Sequence, residues 1–182
     1  MNEHAVNAVL VTNTAAGMGA LTWLTMSWLH KGSPSVIGAV SGAIAGEVGI
    51  TPASGFVDPS SAIVIGFLAG AICYGAILLR QRLKIDDALD VWAVHGVGGT
   101  LGALLTGVFA VAAVNGASGL IEGNAGQLGK QLVAVAATWI YSGIATFVIL
   151  KIVDRFVGLR VEASEEEEGL DASQHGEVAW QD

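Results

Sequence analysis

The sequence predicts an all-α polytopic membrane protein, on three observations. Hydrophobic residues make up 53% of the 182-residue chain and charged residues only 13%, where a soluble domain carries about 25% charged residues. Five apolar stretches approach the ~20 residues that a helix needs to cross a bilayer. The net charge of −8 belongs wholly to the end of the chain: eight of the 16 acidic residues follow Arg160, and the preceding part balances eight acids against eight Lys and Arg. No basic face for nucleic acid remains. The single cysteine, Cys73, excludes an intrachain disulfide.

The expected spans are, in order, 5–29, 34–53, 60–80, 88–113 and 129–153, followed by an acidic tail over 159–182. Pro34 suits the first turn of the second helix, and Asp86 and Asp87 suit the start of the fourth as caps and dipole partners. Gly38, Gly42 and Gly46 in the second span, Gly66 and Gly70 in the third, and Gly98 and Gly102 in the fourth repeat the GxxxG spacing. That spacing lets membrane helices approach closely. The tail is rich in Glu and is expected to be largely disordered or loosely docked. Trp180 and His175-Gly176-Glu177 interrupt it and suggest a binding segment.

Lys31, Arg80, Arg82, Lys84, Lys151, Arg155 and Arg160 fall on one side if the helices alternate, against Lys130 alone on the other. The positive-inside rule then puts the C-terminus in the cytoplasm and the N-terminus outside. Met-Asn-Glu-His is not the positively charged start of a signal peptide. An odd number of spans with an outside start is expected of the C-terminal part of a longer protein. A short chain whose N-terminus crosses by itself is the alternative.

The stretch 86–106, DDALDVWAVHGVGGTLGALLT, concentrates the polar chemistry. His95 lies about 12 Å along a helix from Asp87, near the middle of the hydrocarbon core. A polar side chain there should face protein or a water-filled cavity. On an unbroken helix Gly99, Gly102 and Thr106 share its face and leave room beside the ring. The residues alone leave two readings open, a structural histidine bonded to a carbonyl and a pore or proton-relay histidine. Metal binding is not expected, since no second His or Cys stands at ligand spacing on this helix. Asp86 and Asp87 read as caps with salt bridges to Arg82 or Lys84. Asp90, a turn deeper, reads as a buried carboxylate that holds the helix start. Glu47 in the second span is a rim or subunit contact or a cation site. Ser41 and Thr51 flank it, and such hydroxyls usually bond the preceding backbone turn. Gly116-Ala117-Ser118-Gly119 matches the GxSG of intramembrane serine proteases, but Ser118 falls in a connection far from His95, so an enzyme is not expected. The glycine-rich runs lack the GKS/T of a phosphate loop.

The string DDALDVWAVHGVGGTLGALLTGVFA closely resembles the tenth-helix signature of the ammonium transporter (Amt/MEP/Rh) family. PSVIGAVSGAIAGEVGITP, from Pro34 to Pro52, resembles its eighth helix. GLRV followed by acids and GLDASQHGEVAW resembles its cytoplasmic C-terminal region. The resemblance implies helices seven to eleven of an eleven-helix inverted-repeat protomer, assembled as a homotrimer in the cell membrane. Each protomer would hold a narrow pore that takes ammonium, separates it from its proton, and passes both by two neighbouring histidines. His95 matches the second of that pair, and a neutral imidazole can both donate and accept. Asp90 matches the structural carboxylate at the helix start, and Ser41 and Thr51 match hydroxyl positions near the pore. Gly158 and Asp171 match positions by which the tail docks under a neighbouring subunit. The tail is also where cytoplasmic PII-class regulators bind many members. No cofactor is implied. Glu47 departs from the apolar residue expected there. The other histidine and the aromatic gate belong to helices absent from this chain, so the chain alone is not expected to conduct. A membrane-embedded ammonium sensor that signals through its tail is the runner-up, and a non-functional truncated product a third possibility.

Overall fold

The computed structural model describes residues 2–177, and Trp180 lies outside the described residues. All regular elements among the described residues are helical. Helix α1 spans Glu3–Lys31, opened by the Asn2 side chain, which accepts from Ala5 N–H at 3.0 Å, and closed by Gly32 in the left-handed conformation. Helix α2 spans Val36–Ile50. Its cap is Ser35, which accepts from Gly38 N–H at 3.0 Å, so Pro34 precedes the helix instead of occupying its first turn. A hydroxyl at this place satisfies an end donor that proline cannot. Helix α3 spans Pro59–Leu83, with Asp58 as cap, Pro59 in its first turn and Lys84 left-handed at its end.

The fourth expected helix starts later than the sequence suggests. Residues 85–90 are a connection with Asp90 in the left-handed region. A π-helical turn then covers Trp92–Gly96, and α4 covers Val97–Phe109. It stops short of the predicted residue 113, because Ala110 turns extended before the four-residue α5, Ala112–Asn115. Helix α6 runs Ala125–Phe156. The tail is more structured than its composition suggests. It holds a short helix, α7 (Ala163–Glu168), with a reciprocal Glu162/Glu165 capping box, and a π turn over Asp171–His175.

Three segments are long and apolar enough to cross a membrane on their own: Pro59–Leu83, Trp92–Phe109 and Ala125–Phe156. Helix α2 is apolar but has 15 residues, about 22 Å of helix against a core of about 30 Å. Helix α1 has the length, but Asn7, Thr12, Asn13 and Thr14 dilute its first half.

The chain divides into two compact units, Met1–Ala136 and Ala137–Asp182. In the first, α1 packs on α2 and α3, and α4 packs on α2 and α3. The glycines make this possible. A Cβ at Gly42 would meet Gly19 O and Trp23, and one at Gly46 or Gly66 would run into Ala15 O. Without a hydrophobic drive between helices in lipid, such backbone-to-backbone approach supplies the dispersion contacts that hold a bundle together. Val11, Ala15, Ile50, Ala53, Val57, Ala62 and Ile65 form one buried cluster, and Trp23, Ala45, Cys73, Tyr74 and Val94 a second.

Candidate functional site

Helix α4 is locked to its neighbours along one line. A Cβ at Gly98 would lie 3.0 Å from the Cys73 sulfur and 3.3 Å from Val48, and one at Gly102 would collide with Gly49 O. Thr106, the next residue along this line, is buried and donates to Gly102 O at 2.8 Å. The sequence reading placed Gly102 and Thr106 on the face of His95. The structure separates them: Gly102 and Thr106 are buried against the bundle, while His95 is exposed. The cause is the π turn over Trp92–Gly96. It carries an extra residue per turn, so the periodicity of an unbroken α-helix does not carry through it. Gly99, four residues on, has no atom within 4 Å of where a Cβ would sit. Within the π turn Ala93 and Val94 point inward, and Val94 O receives a long contact from the Cys73 thiol at 3.8 Å.

The carboxylates before this turn divide their work differently from the sequence reading. Asp87 caps it: its two oxygens accept from Val91 N–H at 3.0 Å and Trp92 N–H at 2.8 Å. Asp90 pairs with Arg80 on α3, Nε to Oδ1 at 2.7 Å. The meeting atoms are shut off from solvent and form an ion pair, not a well-aligned hydrogen bond. Because residues 86–90 are not helical, Asp86 and Asp90 do not share a helix face; Asp86 is exposed.

The hydroxyls behave as membrane hydroxyls usually do. Ser41 donates to Ile37 O at 3.1 Å and Thr51 to Glu47 O at 2.6 Å, which leaves each oxygen with lone pairs to accept. Glu47 and Thr51 are exposed and Ser41 is half-buried. In the second unit, Gly158 is left-handed after α6, with its N–H on Val153 O, and Asp171 opens the tail's π turn. Among the described residues no group of His, Cys, Asp and Glu could hold a metal ion.

A profile of the Ammonium Transporter Family matches residues 1–180. The chain belongs to this family. It is 51% identical over 179 residues to ammonium transporter Amt1 of Archaeoglobus fulgidus, covering 98% of this chain and 46% of that protein. Among solved structures it superimposes on Mep2 of Saccharomyces cerevisiae with a TM-score of 0.87 at 39% identity, over 96% of this chain and 41% of that one. A sensor Amt protein superimposes with a TM-score of 0.85 at 27% identity, over 96% of this chain and 43% of that one. The chain thus spans about half the length of the curated relatives it matches, and its helices adopt their fold. Family members are membrane transporters, not an enzyme family.

Two features escaped the sequence reading. Arg80 was visible there only as a topological charge, since an ion pair across a connection has no periodic signature. The other is His30, whose Nδ1 lies 2.8 Å from the Tyr74 hydroxyl, with Trp23 edge-on to the Tyr74 ring at 5.4 Å.

Proposed function

We propose that this chain supplies one half of an ammonium conduction path: the part corresponding to helices seven to eleven of the family's inverted-repeat protomer. The observation that supports it most is the presentation of His95. It is the only titratable side chain between Val91 and Ile121, and it stands exposed while the glycines behind it are sewn to α2 and α3. A neutral imidazole in such a place can accept a proton on one nitrogen and donate from the other. It could therefore hold ammonia and pass on the proton that ammonium leaves behind. Ser41 on α2 and Thr51 at its C-terminal end offer acceptor lone pairs. Asp87 and Asp90 fix the start of the histidine-bearing segment.

On this reading the five apolar helices all cross the bilayer, α2 with help from the turn that follows it. The N-terminus lies outside and the acidic tail in the cytoplasm. The protomers form a homotrimer, Gly158 and Asp171 belong to the coupling of the tail to a neighbouring subunit, and a PII-class protein is the candidate regulator. An ammonium sensor would share the fold, and no feature of the site favours it over transport.

The test is growth of a strain without ammonium transporters on low ammonium at acidic pH. The chain alone should give no growth, because the proposed path needs a second histidine that the first six helices would supply. Coexpression with the first six helices of a relative should restore growth. Growth with the chain alone, or failure of a well-expressed pair, would overturn the reading.

A further inference from the structure

Arg80 is not part of any path described above, yet it joins two elements at a critical place. It stands in the last turn of α3. Its Nη1 donates to Ile85 O at 3.2 Å and its Nε meets Asp90 Oδ1 at 2.7 Å. The Arg80 and Asp90 side chains are 18% and 30% exposed. Asp90 itself is left-handed, with φ of 55°, a conformation that aspartate tolerates better than most residues. Its carbonyl accepts from Val94 N–H at 2.8 Å, so Asp90 is where the helical run of hydrogen bonds begins.

The other end of the π turn is fixed as firmly, by Gly98 against Cys73 and Val48 and by Gly102 against Gly49. Between these two anchors the chain accommodates its residues as a π turn. Were the first anchor released, the turn could relax to α-helical pitch. That would shift the register by one residue and swing what precedes Gly98 by about 100° relative to the packed glycines. We infer that Arg80 is a positioning residue: its ion pair with Asp90 holds the π turn open and thereby sets the direction in which His95 leaves the helix. Asp87, which caps Val91 and Trp92, is untouched by loss of Arg80, so the segment stays attached and only the anchor at Asp90, whose carbonyl receives Val94 N–H, is released. The geometry stands by itself; its consequence for transport rests on the path proposed above.

The experiment is the rate at which diethyl pyrocarbonate modifies each of the four histidines in the full chain in lipid nanodiscs, read by mass spectrometry. The proteins are wild type, R80Q, R80K and D90N; asparagine also tolerates the left-handed backbone. The rate at His95 should change several-fold, in the same direction in R80Q and D90N, with His4, His30 and His175 unchanged. R80K, which keeps the ion pair, should stay closer to wild type than R80Q. An unchanged His95 rate in R80Q overturns the inference. So does a change of opposite sign in R80Q and D90N, which is the mark of a direct charge effect, or a change at all four histidines, which is the mark of general loosening. R80K lying beyond R80Q counts against it as well. None of these readings depends on transport, so the path proposal can fail without this one failing.

Discussion

Helices α3 and α6 are both long, apolar and able to cross a membrane, but they are built on different principles. Nearly half of the apolar window of α3 is buried inside the bundle, and none of that of α6 is. Along α3, Gly66 and Gly70 face α1 so closely that no side chain fits. Along α6, Gly143 has no atom within 4 Å of where a Cβ would sit, and Ile140, Tyr141, Ile144 and Phe147 are all exposed. The bundle is therefore specified by shape, at particular atoms. Helix α6 makes one such close approach, at its start, where Leu128 and Gln131 meet Gly107 of α4, and none around Gly143.

The sharpest way to break that comparison is one substitution in each region. Gly46→Val drives a side chain into the backbone of α1 at Ala15 and should cost about 3 kcal/mol or more, at the upper end for overpacking. The measure is detergent-induced or thermal unfolding, and loss of folded protein would be the extreme form. Gly143→Val should stay within about 0.5 kcal/mol, as surface changes do. Equal effects at the two sites would erase the distinction.

A smaller effect is expected at Asp58, the cap of α3. The Ser61 N–H, at 2.8 Å, and the Ser61 and Ser60 hydroxyls hold its carboxyl below the usual carboxylate range. Asp58→Ala should cost about 1 kcal/mol, as N-caps do. Because the folded carboxyl is the more acidic, its contribution is complete above the unfolded value of about 3.9. It fades as pH falls through the lower folded value. A cost that persists unchanged well below that range would contradict the capping role.

The smallest effect belongs to the tail. Arg160 grips Glu166 with two bonds, at 2.8 and 2.7 Å, and draws its carboxyl below the ordinary glutamate range. Arg160→Gln should return the Glu166 titration to that range, as seen by carboxyl NMR, and added salt should do part of the same. No change in the titration would mean the grip is absent in solution.

What could be read in advance follows the same division. Length and hydropathy sufficed for α3 and α6, while α1 has the length but a first half diluted by polar residues. Glycine spacing pointed to the right faces, since Gly42, Gly46 and Gly102 do meet backbone. His95, Asp87 and Asp90 stood out as polar residues in or beside apolar sequence. The π turn did not, because one extra residue in one turn leaves no repeating pattern. The reading therefore put Gly102 and Thr106 beside His95. Nor could a pattern tell which of Arg80, Arg82 and Lys84 meets Asp90; the fold of residues 85–90 decides it. The short helix in the tail was hidden by an acidic composition that usually means disorder, and the Glu162/Glu165 capping box is the local signal that could have revealed it.

The central claim is that His95 carries ammonium chemistry in a path to which this chain contributes half. The most direct measurement is ammonium uptake by cells coexpressing this chain with the first six helices of a relative, comparing His95 with His95→Ala at matched membrane levels. The account predicts uptake with the histidine and its loss with alanine, the helices remaining folded. Uptake that survives the alanine substitution undiminished would contradict it.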